Sequence, residues 1–184
     1  DHPEAKPVFD LDCSSLLATL KTMRDDGRFT SGKMLDGTPD FYLGATANPC
    51  AIDPAIEVER IAKKIDAGAQ FIQTQFCFDE DAFHAFYDLY VERGLSERAN
   101  LLVGIGPLSS AKAALWMRNN IAGIRIPDRI IERLEEATHP KEEGIQICVE
   151  LIRRYIEVNR VPGLHIMAFQ QPDKVAEIVR RAGL

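Results

Sequence analysis

Several common features are missing from the 184-residue sequence, and each absence excludes a class of protein. The four cysteines (Cys13, Cys50, Cys77 and Cys148) are far apart and form no CxxC pair, which predicts reduced thiols in a cytoplasmic protein. No apolar run approaches the roughly 20 residues of a membrane span. Acidic residues (28) outnumber lysines and arginines (22), and the net charge of −6 argues against nucleic-acid binding.

Motifs of several enzyme classes are also missing. No Gly-x-Gly-x-x-Gly follows a predicted strand, which weakens a dinucleotide-binding interpretation, and no Gly-x-Ser-x-Gly elbow or nucleophilic triad occurs. The four histidines (His2, His84, His139 and His165) do not have metal-ligand spacing, so no metal site is predicted. The remaining composition, 46% hydrophobic and 27% charged, is typical of one globular domain with a real core over residues 1–184.

Segments with helical periodicity alternate with short apolar runs that lack polar alternation. The runs at 41–47, 71–75, 101–105 and 163–169 are typical of strands covered on both faces. The predicted order is helix, strand, helix, strand, helix, strand, several helices, strand and helix, which indicates an α/β fold with a parallel sheet. A complete eight-stranded barrel needs about 250 residues, so four strands would make half of one. A small open doubly wound sheet is the structural alternative.

The most informative segment, residues 63–75, joins a basic helix end to a glycine turn and an apolar strand. Gly68 suits the position just after a helix, because glycine adopts positive φ at little cost. Side chains alternate along a strand, so Gln73 and Gln75 share one face and Thr74 the other. Ligands collect at the carboxyl ends of parallel strands. Gln75 is therefore either a structural amide paired within the protein or a ligand contact.

Four charged residues lie on the helix before that strand: Glu57, Arg60, Lys63 and Lys64. They can form a solvated face with weak ion pairs, or they can direct cations at a diphosphate or carboxylate. The segment 104–110 can hold an anion at a helix N-terminus, although capping alone explains its serines. The residues themselves leave these alternatives open.

The segment 63–76, Lys-Lys-Ile-Asp-Ala-Gly-Ala-Gln-Phe-Ile-Gln-Thr-Gln-Phe, resembles the strongest signature of methylenetetrahydrofolate reductases. The other matching segments occur in family order: Asp1-His2-Pro3, Val8-Phe9-Asp10-Leu11-Asp12, Leu43-Gly44-Ala45-Thr46-Ala47-Asn48-Pro49, Gly106-Pro107-Leu108, Gly123-Ile124-Arg125-Ile126-Pro127 and Gly163-Leu164-His165-Ile166-Met167. The resemblance implies the carboxyl-terminal portion, about strands 5 to 8, of a (β/α)8 TIM barrel. The first strands would then precede Asp1, in the same chain or in another.

The resemblance also implies an activity: FAD-dependent reduction of 5,10-methylenetetrahydrofolate to 5-methyltetrahydrofolate with NADH or NADPH, in one-carbon metabolism and methionine biosynthesis. By position, Asp1 resembles a catalytic aspartate close to the flavin and the pterin, and Gln75 matches a folate-contacting glutamine. The residues implied to bind FAD are Asp1, Asp10, Asn48, Ala51, Glu57, Arg60, Lys63 and Lys64.

Two positions depart from some bacterial members of this family. Ala113 stands where they have a folate-contacting glutamine, and Gln171 stands where they have an arginine, which removes a fixed cation. The family's general acid, a glutamate on the first strand, lies outside this sequence, so we expect this portion alone to be inactive.

Two alternatives to the reductase remain open. One is a non-catalytic barrel subunit that binds folate or a partner protein, and the other is a barrel that acts beside a methyltransferase. The open sheet edges of half a barrel also predict a partnered, homo-oligomeric or aggregation-prone segment.

Overall fold

The computed structural model describes residues 10–157, 161–168 and 172–184, and its elements follow the predicted order. The strands are β1 (Gly44–Ala47), β2 (Phe71–Phe76), β3 (Asn100–Ile105) and β4 (Gly163–Ile166). The helices are α1 (Cys13–Asp26), α2 (Pro54–Asp66), α3 (Glu80–Glu92), α4 (Ala111–Asn120), α5 (Asp128–Glu136), α6 (Pro140–Glu157) and α7 (Pro172–Ala182). None of the helices in these ranges is both long enough and apolar enough to cross a membrane.

The four strands form one parallel sheet whose spatial order, β1-β2-β3-β4, is also their order along the chain. Right-handed crossovers in this order carry the connecting helices to one face of the sheet. A doubly wound sheet reverses its strand order at a switch point and has helices on both faces. The predicted parallel α/β sheet is therefore confirmed, and its strand order does not match the doubly wound alternative.

The two faces of the sheet differ in burial. On the helix-covered face, Ile72 and Val103 are completely buried. On the other face, Gly44 and Thr46 of β1 are exposed and Gln73 of β2 is half-buried. Since Thr46 pairs with Gln73, their side chains are neighbours. The sheet thus has a packed apolar face and a more open face that carries polar groups.

Local signals in the sequence fix where several helices begin and end. Asp12 caps α1 in a reciprocal box with Ser15, and Asp53 caps α2 ahead of a proline in the first turn. The side chain of Ser110 caps α4. Gly68 follows α2 with a φ of 123°, which confirms the predicted glycine turn into β2. These capping residues and the glycine turn fix the lengths of the helices that pack against the sheet.

Helix α6 packs against the loop before α4 so closely that Gly144 has no room for a side chain. A Cβ built on Gly144 would overlap the carbonyl oxygen of Leu108, which is itself 2% exposed. Glycine inside a helix normally costs about 1 kcal/mol relative to alanine. The close approach of two backbones explains why this helix nevertheless has glycine there.

We expect Gly144→Ala to lower the free energy of unfolding by at least about 2 kcal/mol, because steric overlap with backbone outweighs the gain in helix propensity. Urea unfolding measures the change, and Lys141→Ala, at an exposed position of the same helix, is the control. A Gly144→Ala protein that is more stable than the parent would show that α6 does not approach Leu108 in this way.

Candidate functional site

A cavity of about 410 Å³, called cavity 1 here, opens at the carboxyl ends of β1 and β2. Its lining residues are Thr46, Ala47, Asn48, Glu57, Lys64, Gln73, Thr74, Gln75, Ala122, His165 and Met167. Four residues predicted for the site, Asn48, Glu57, Lys64 and Gln75, therefore lie around one cavity. Asn48 directly follows β1, Glu57 and Lys64 lie on α2, and Gln75 lies on β2.

A second cavity of about 660 Å³, called cavity 2, adjoins the first and shares Asn48 with it. Its other lining residues are Cys50, Ala51, Ile52, Asp53, Ile56, Arg60, Gly123, Ile124 and Arg125. Two further predicted residues, Ala51 and Arg60, are thus in this cavity. Both arginines are exposed, as are the apolar side chains of Ile52 and Ile56.

Among the described residues that were predicted for the site, Asp10 and Lys63 line neither cavity. Asp10 is exposed just ahead of α1, and Lys63 is exposed on α2, where it lines a shallow hollow with Arg60. Asp1 and Gln171 lie outside the described residues. Ala113 is in the first turn of α4, where its N–H donates to the Ser110 hydroxyl at 3.1 Å.

Two side chains of α2 fasten that helix to the end of β1. The Lys64 ammonium donates to the Thr46 carbonyl at 2.6 Å, and the Asn48 N–H donates to Glu57 Oε1 at 2.9 Å. Glu57 is only 7% exposed, and Arg60 lies 3.7 Å from its other oxygen. An ammonium has three donors, so Lys64 keeps two for a ligand. Glu57, by contrast, is used mainly in holding the site together.

Strand β2 contains a bulge at Thr74 and Gln75. The register with β3 advances by three residues in β2, from Gln73 to Phe76, against two residues in β3. The N–H of Gly104 donates to Thr74 Oγ1 at 2.8 Å, and that hydroxyl donates to the Gln75 carbonyl at 2.8 Å. The buried Thr74 hydroxyl therefore replaces a regular link between the two strands.

The bulge also sets how the Gln75 side chain can be used. Its amide oxygen accepts the Phe76 N–H at 3.0 Å, and the Cys77 thiol donates to the Gln75 carbonyl at 3.2 Å. The amide nitrogen of Gln75 makes no hydrogen bond within the described residues. Gln75 can therefore donate from this nitrogen to an acceptor atom of a ligand in cavity 1.

Comparison with known proteins shows the family to which the chain belongs. A family model described as "Methylenetetrahydrofolate reductase" matches residues 14–183. The chain belongs to the methylenetetrahydrofolate reductase family. The match covers nearly the whole sequence, and it includes every described helix and strand except the first residue of α1.

Two curated relatives in this family come from a nematode and a fission yeast. The probable methylenetetrahydrofolate reductase (NADPH) of Caenorhabditis elegans is 26% identical over 152 residues, which are 80% of this chain and 22% of the relative. Methylenetetrahydrofolate reductase 1 of Schizosaccharomyces pombe is 27% identical over 157 residues, which are 79% of this chain and 25% of the relative. The chain thus spans about a quarter of the length of these relatives.

A solved structure has a similar fold. It is that of an uncharacterized protein from Clostridium thermocellum, which binds two copies of 5-methyl-5,6,7,8-tetrahydrofolic acid. The match has a TM-score of 0.60 and 18% sequence identity, and it covers 96% of this chain and 64% of that protein. At this identity the likeness shows a shared fold.

Among the lining residues of cavity 1 that were not predicted for the site from the sequence are two with hydrogen-bonding side chains, Gln73 and His165. Gln73 shares its strand face with the predicted Gln75, and that alternation was a usable signal. His165 lies on β4, and its Nδ1 is buried with no hydrogen-bond partner among the described residues. Nothing in the local sequence around His165 indicated that β4 reaches the same cavity as β2.

The loop after α4 also contributes to the site. Gly123 has a φ of 83°, and a Cβ built there would overlap the side-chain amide of Asn48. This loop brings Ala122 to cavity 1 and Arg125 to cavity 2. Within the described ranges, no group of three or more His, Cys, Asp or Glu residues could hold a metal ion.

We expect Thr74→Val to lower the free energy of unfolding by about 1–3 kcal/mol, because the buried Gly104 N–H would lose its acceptor. Thr74→Ser keeps the hydroxyl and is the matched control, for which a smaller loss is expected. Urea unfolding of both variants provides the measurement. Equal losses in the two variants would show that the hydroxyl does not hold the bulge.

The thiols provide a second prediction. Burial raises the pKa of Cys50 to about 11 and that of Cys148 to about 12, and burial also raises the pKa of Cys77. At pH 8 the reactive thiolate of Cys50 would be about a thousandth of the total. Iodoacetamide at pH 8 should therefore modify the exposed Cys13 first, as read by mass spectrometry of the native protein. Labelling of Cys50 as fast as Cys13 would contradict its burial.

Proposed function

We propose that this chain is part of a flavin-dependent methylenetetrahydrofolate reductase, which reduces 5,10-methylenetetrahydrofolate to 5-methyltetrahydrofolate with NADH or NADPH. The observation that carries the proposal is that Lys64 and Gln75 both line cavity 1, at the carboxyl ends of parallel strands. The folate bound by the Clostridium thermocellum protein supports the same class of ligand.

The sheet supports a barrel arrangement. Its strands are parallel and in chain order, and within the described ranges the outer edges of β1 and β4 have no partner strand. An arc of a (β/α)8 barrel has this order, with the helices outside and the site at the carboxyl ends of the strands. We therefore propose that residues 1–184 form one domain corresponding to about strands 5 to 8 of such a barrel. The other strands would come from the remainder of a longer chain or from a partner chain.

The two adjoining cavities suit FAD. In cavity 2, Arg60 and Arg125 supply cations of the kind that bind a diphosphate, and Ile52 and Ile56 offer apolar surface for an adenine ring. Asn48 borders both cavities, so one extended molecule could occupy them together. FAD, when bound, would carry hydride from the nicotinamide to the folate.

The described residues would bind and orient these molecules. Lys64, fixed to the Thr46 carbonyl, would direct its remaining donors at flavin oxygens. Gln75 would donate from its amide nitrogen to an acceptor on the folate. Asp1 remains the proposed catalytic aspartate beside flavin and pterin, and Asp10, Ala51 and Lys63 remain proposed FAD contacts.

A test of the proposed function uses the full-length protein that contains this sequence. Its flavin absorbance should bleach with NADH or NADPH under anaerobic conditions and return when methylenetetrahydrofolate is added. A full-length protein without flavin would refute the FAD assignment. Folate binding without hydride transfer would instead support a non-catalytic folate-binding subunit.

We expect Gln75→Ala to slow the reoxidation of flavin by methylenetetrahydrofolate at least tenfold and to leave the reduction of flavin by NAD(P)H nearly unchanged. The reason is that the lost amide would contact folate and not the flavin. Stopped-flow absorbance separates the two half-reactions, and Asn119→Ala, which removes an exposed amide from α4, is the control. Equal losses in both half-reactions would contradict a folate role for Gln75.

A further inference from the structure

The polar groups around cavity 1 divide into those that are bonded within the protein and those that are not. Glu57 and Lys64 each bond to the backbone at the end of β1, and the amide oxygen of Gln75 accepts a backbone N–H. The side-chain amide of Gln73, in contrast, makes no hydrogen bond with any described residue. Gln73 is therefore the cavity residue with a complete carboxamide free to bind a ligand.

This amide can also be reached from the cavity. Among the described residues, the one fully buried side-chain nitrogen or oxygen without a partner is His165 Nδ1. The unbonded amide atoms of Gln73 are thus not sealed from the cavity, and the residue is half-buried. A ligand that fills the cavity would displace water from this amide, and the amide can then pair with that ligand.

The position of Gln73 places it in the same binding region as Gln75. It lies two residues before Gln75 on β2, with Thr46 of β1 as its neighbour on one side. Its partner on β3 is Leu102, and further along β3 a Cβ on Gly104 would lie 2.5 Å from the Thr74 carbonyl oxygen and 2.9 Å from the Met167 side chain. The Met167 side chain, which also lines cavity 1, covers Gly104, and Gln73 is the polar side chain that β2 presents to the cavity just before the bulge.

We propose that Gln73 is a second folate-binding residue, which hydrogen-bonds the polar edge of the pterin ring beside Gln75. A carboxamide offers one acceptor and two donors in a plane, and the pterin edge presents donors and acceptors side by side. The amide oxygen of Gln75 already accepts one hydrogen bond at the bulge. Gln73 supplies an amide oxygen that no described protein group uses. This inference rests on the proposed folate function.

The test is a calorimetric titration of 5-methyltetrahydrofolate into the full-length protein, with Gln73→Leu, Gln75→Ala and Asn119→Ala as variants. Gln73→Leu keeps the side-chain volume but removes the hydrogen bonds, and it should weaken the Kd about tenfold. Its Tm should stay equal to that of the parent, since the amide has no bond within the described protein. Asn119→Ala should change neither quantity.

The outcomes separate this inference from the proposed function. A Gln73→Leu protein with the parent's Kd, alongside a weakened Gln75→Ala protein, would overturn the role of Gln73 and leave the proposed function intact. A loss of bound FAD without a change in folate affinity would overturn the assignment to pterin. No binding of 5-methyltetrahydrofolate by the parent protein would overturn both proposals.

Discussion

The hydrogen bonds of the Thr74 hydroxyl are the constraint on which the site depends. They join the bulge of β2 to Gly104 of β3 at the point where the regular register between these strands stops. The same bulge continues into Cys77, whose N–H donates to the Gly104 carbonyl at 2.8 Å and whose carbonyl accepts the Tyr155 hydroxyl at 2.9 Å. Tyr155 is completely buried on α6. A continuous series of hydrogen bonds therefore connects the bulge, which carries Gln75, to the helical core. Bulges of this kind often redirect side chains beside functional sites.

A second set of contacts fixes the opposite wall. Glu57 and Lys64 are two turns apart on α2, and both bond to the backbone where β1 ends. The charges on this helix are therefore not a uniformly solvated face, which was one of the two interpretations left open by the sequence. Because Glu57 is almost fully buried and bonded, its contribution is to hold Asn48 at the border between the two cavities. Lys64 combines the same structural bond with donors that remain available to a ligand.

Local patterns were sufficient to predict the order of helices and strands, the parallel sheet and the glycine turn at Gly68, because periodicity, caps and positive φ are encoded by neighbouring residues. The bulge was not predictable, since it exists only through pairing with β3. The sequence also did not show which of Lys63 and Lys64 reaches cavity 1. Adjacent helical residues point about 100° apart, so only one of them can face a given cavity, and the structure places Lys64 there. His165 was missed because its approach to β2 depends on β3 lying between them.

The proposed reaction adds a hydride and a proton to methylenetetrahydrofolate, and the two glutamines of cavity 1 can supply neither. A carboxamide does not act as an acid or a base near neutral pH, but its donors and acceptors can hold a ring in one orientation without adding a charge to the site. Glu57, the carboxylate in the cavity wall, is already bonded to Asn48 and lies beside Arg60. The described residues are thus suited to binding and orientation. In the proposed enzyme, the proton would therefore come from a group other than these cavity residues.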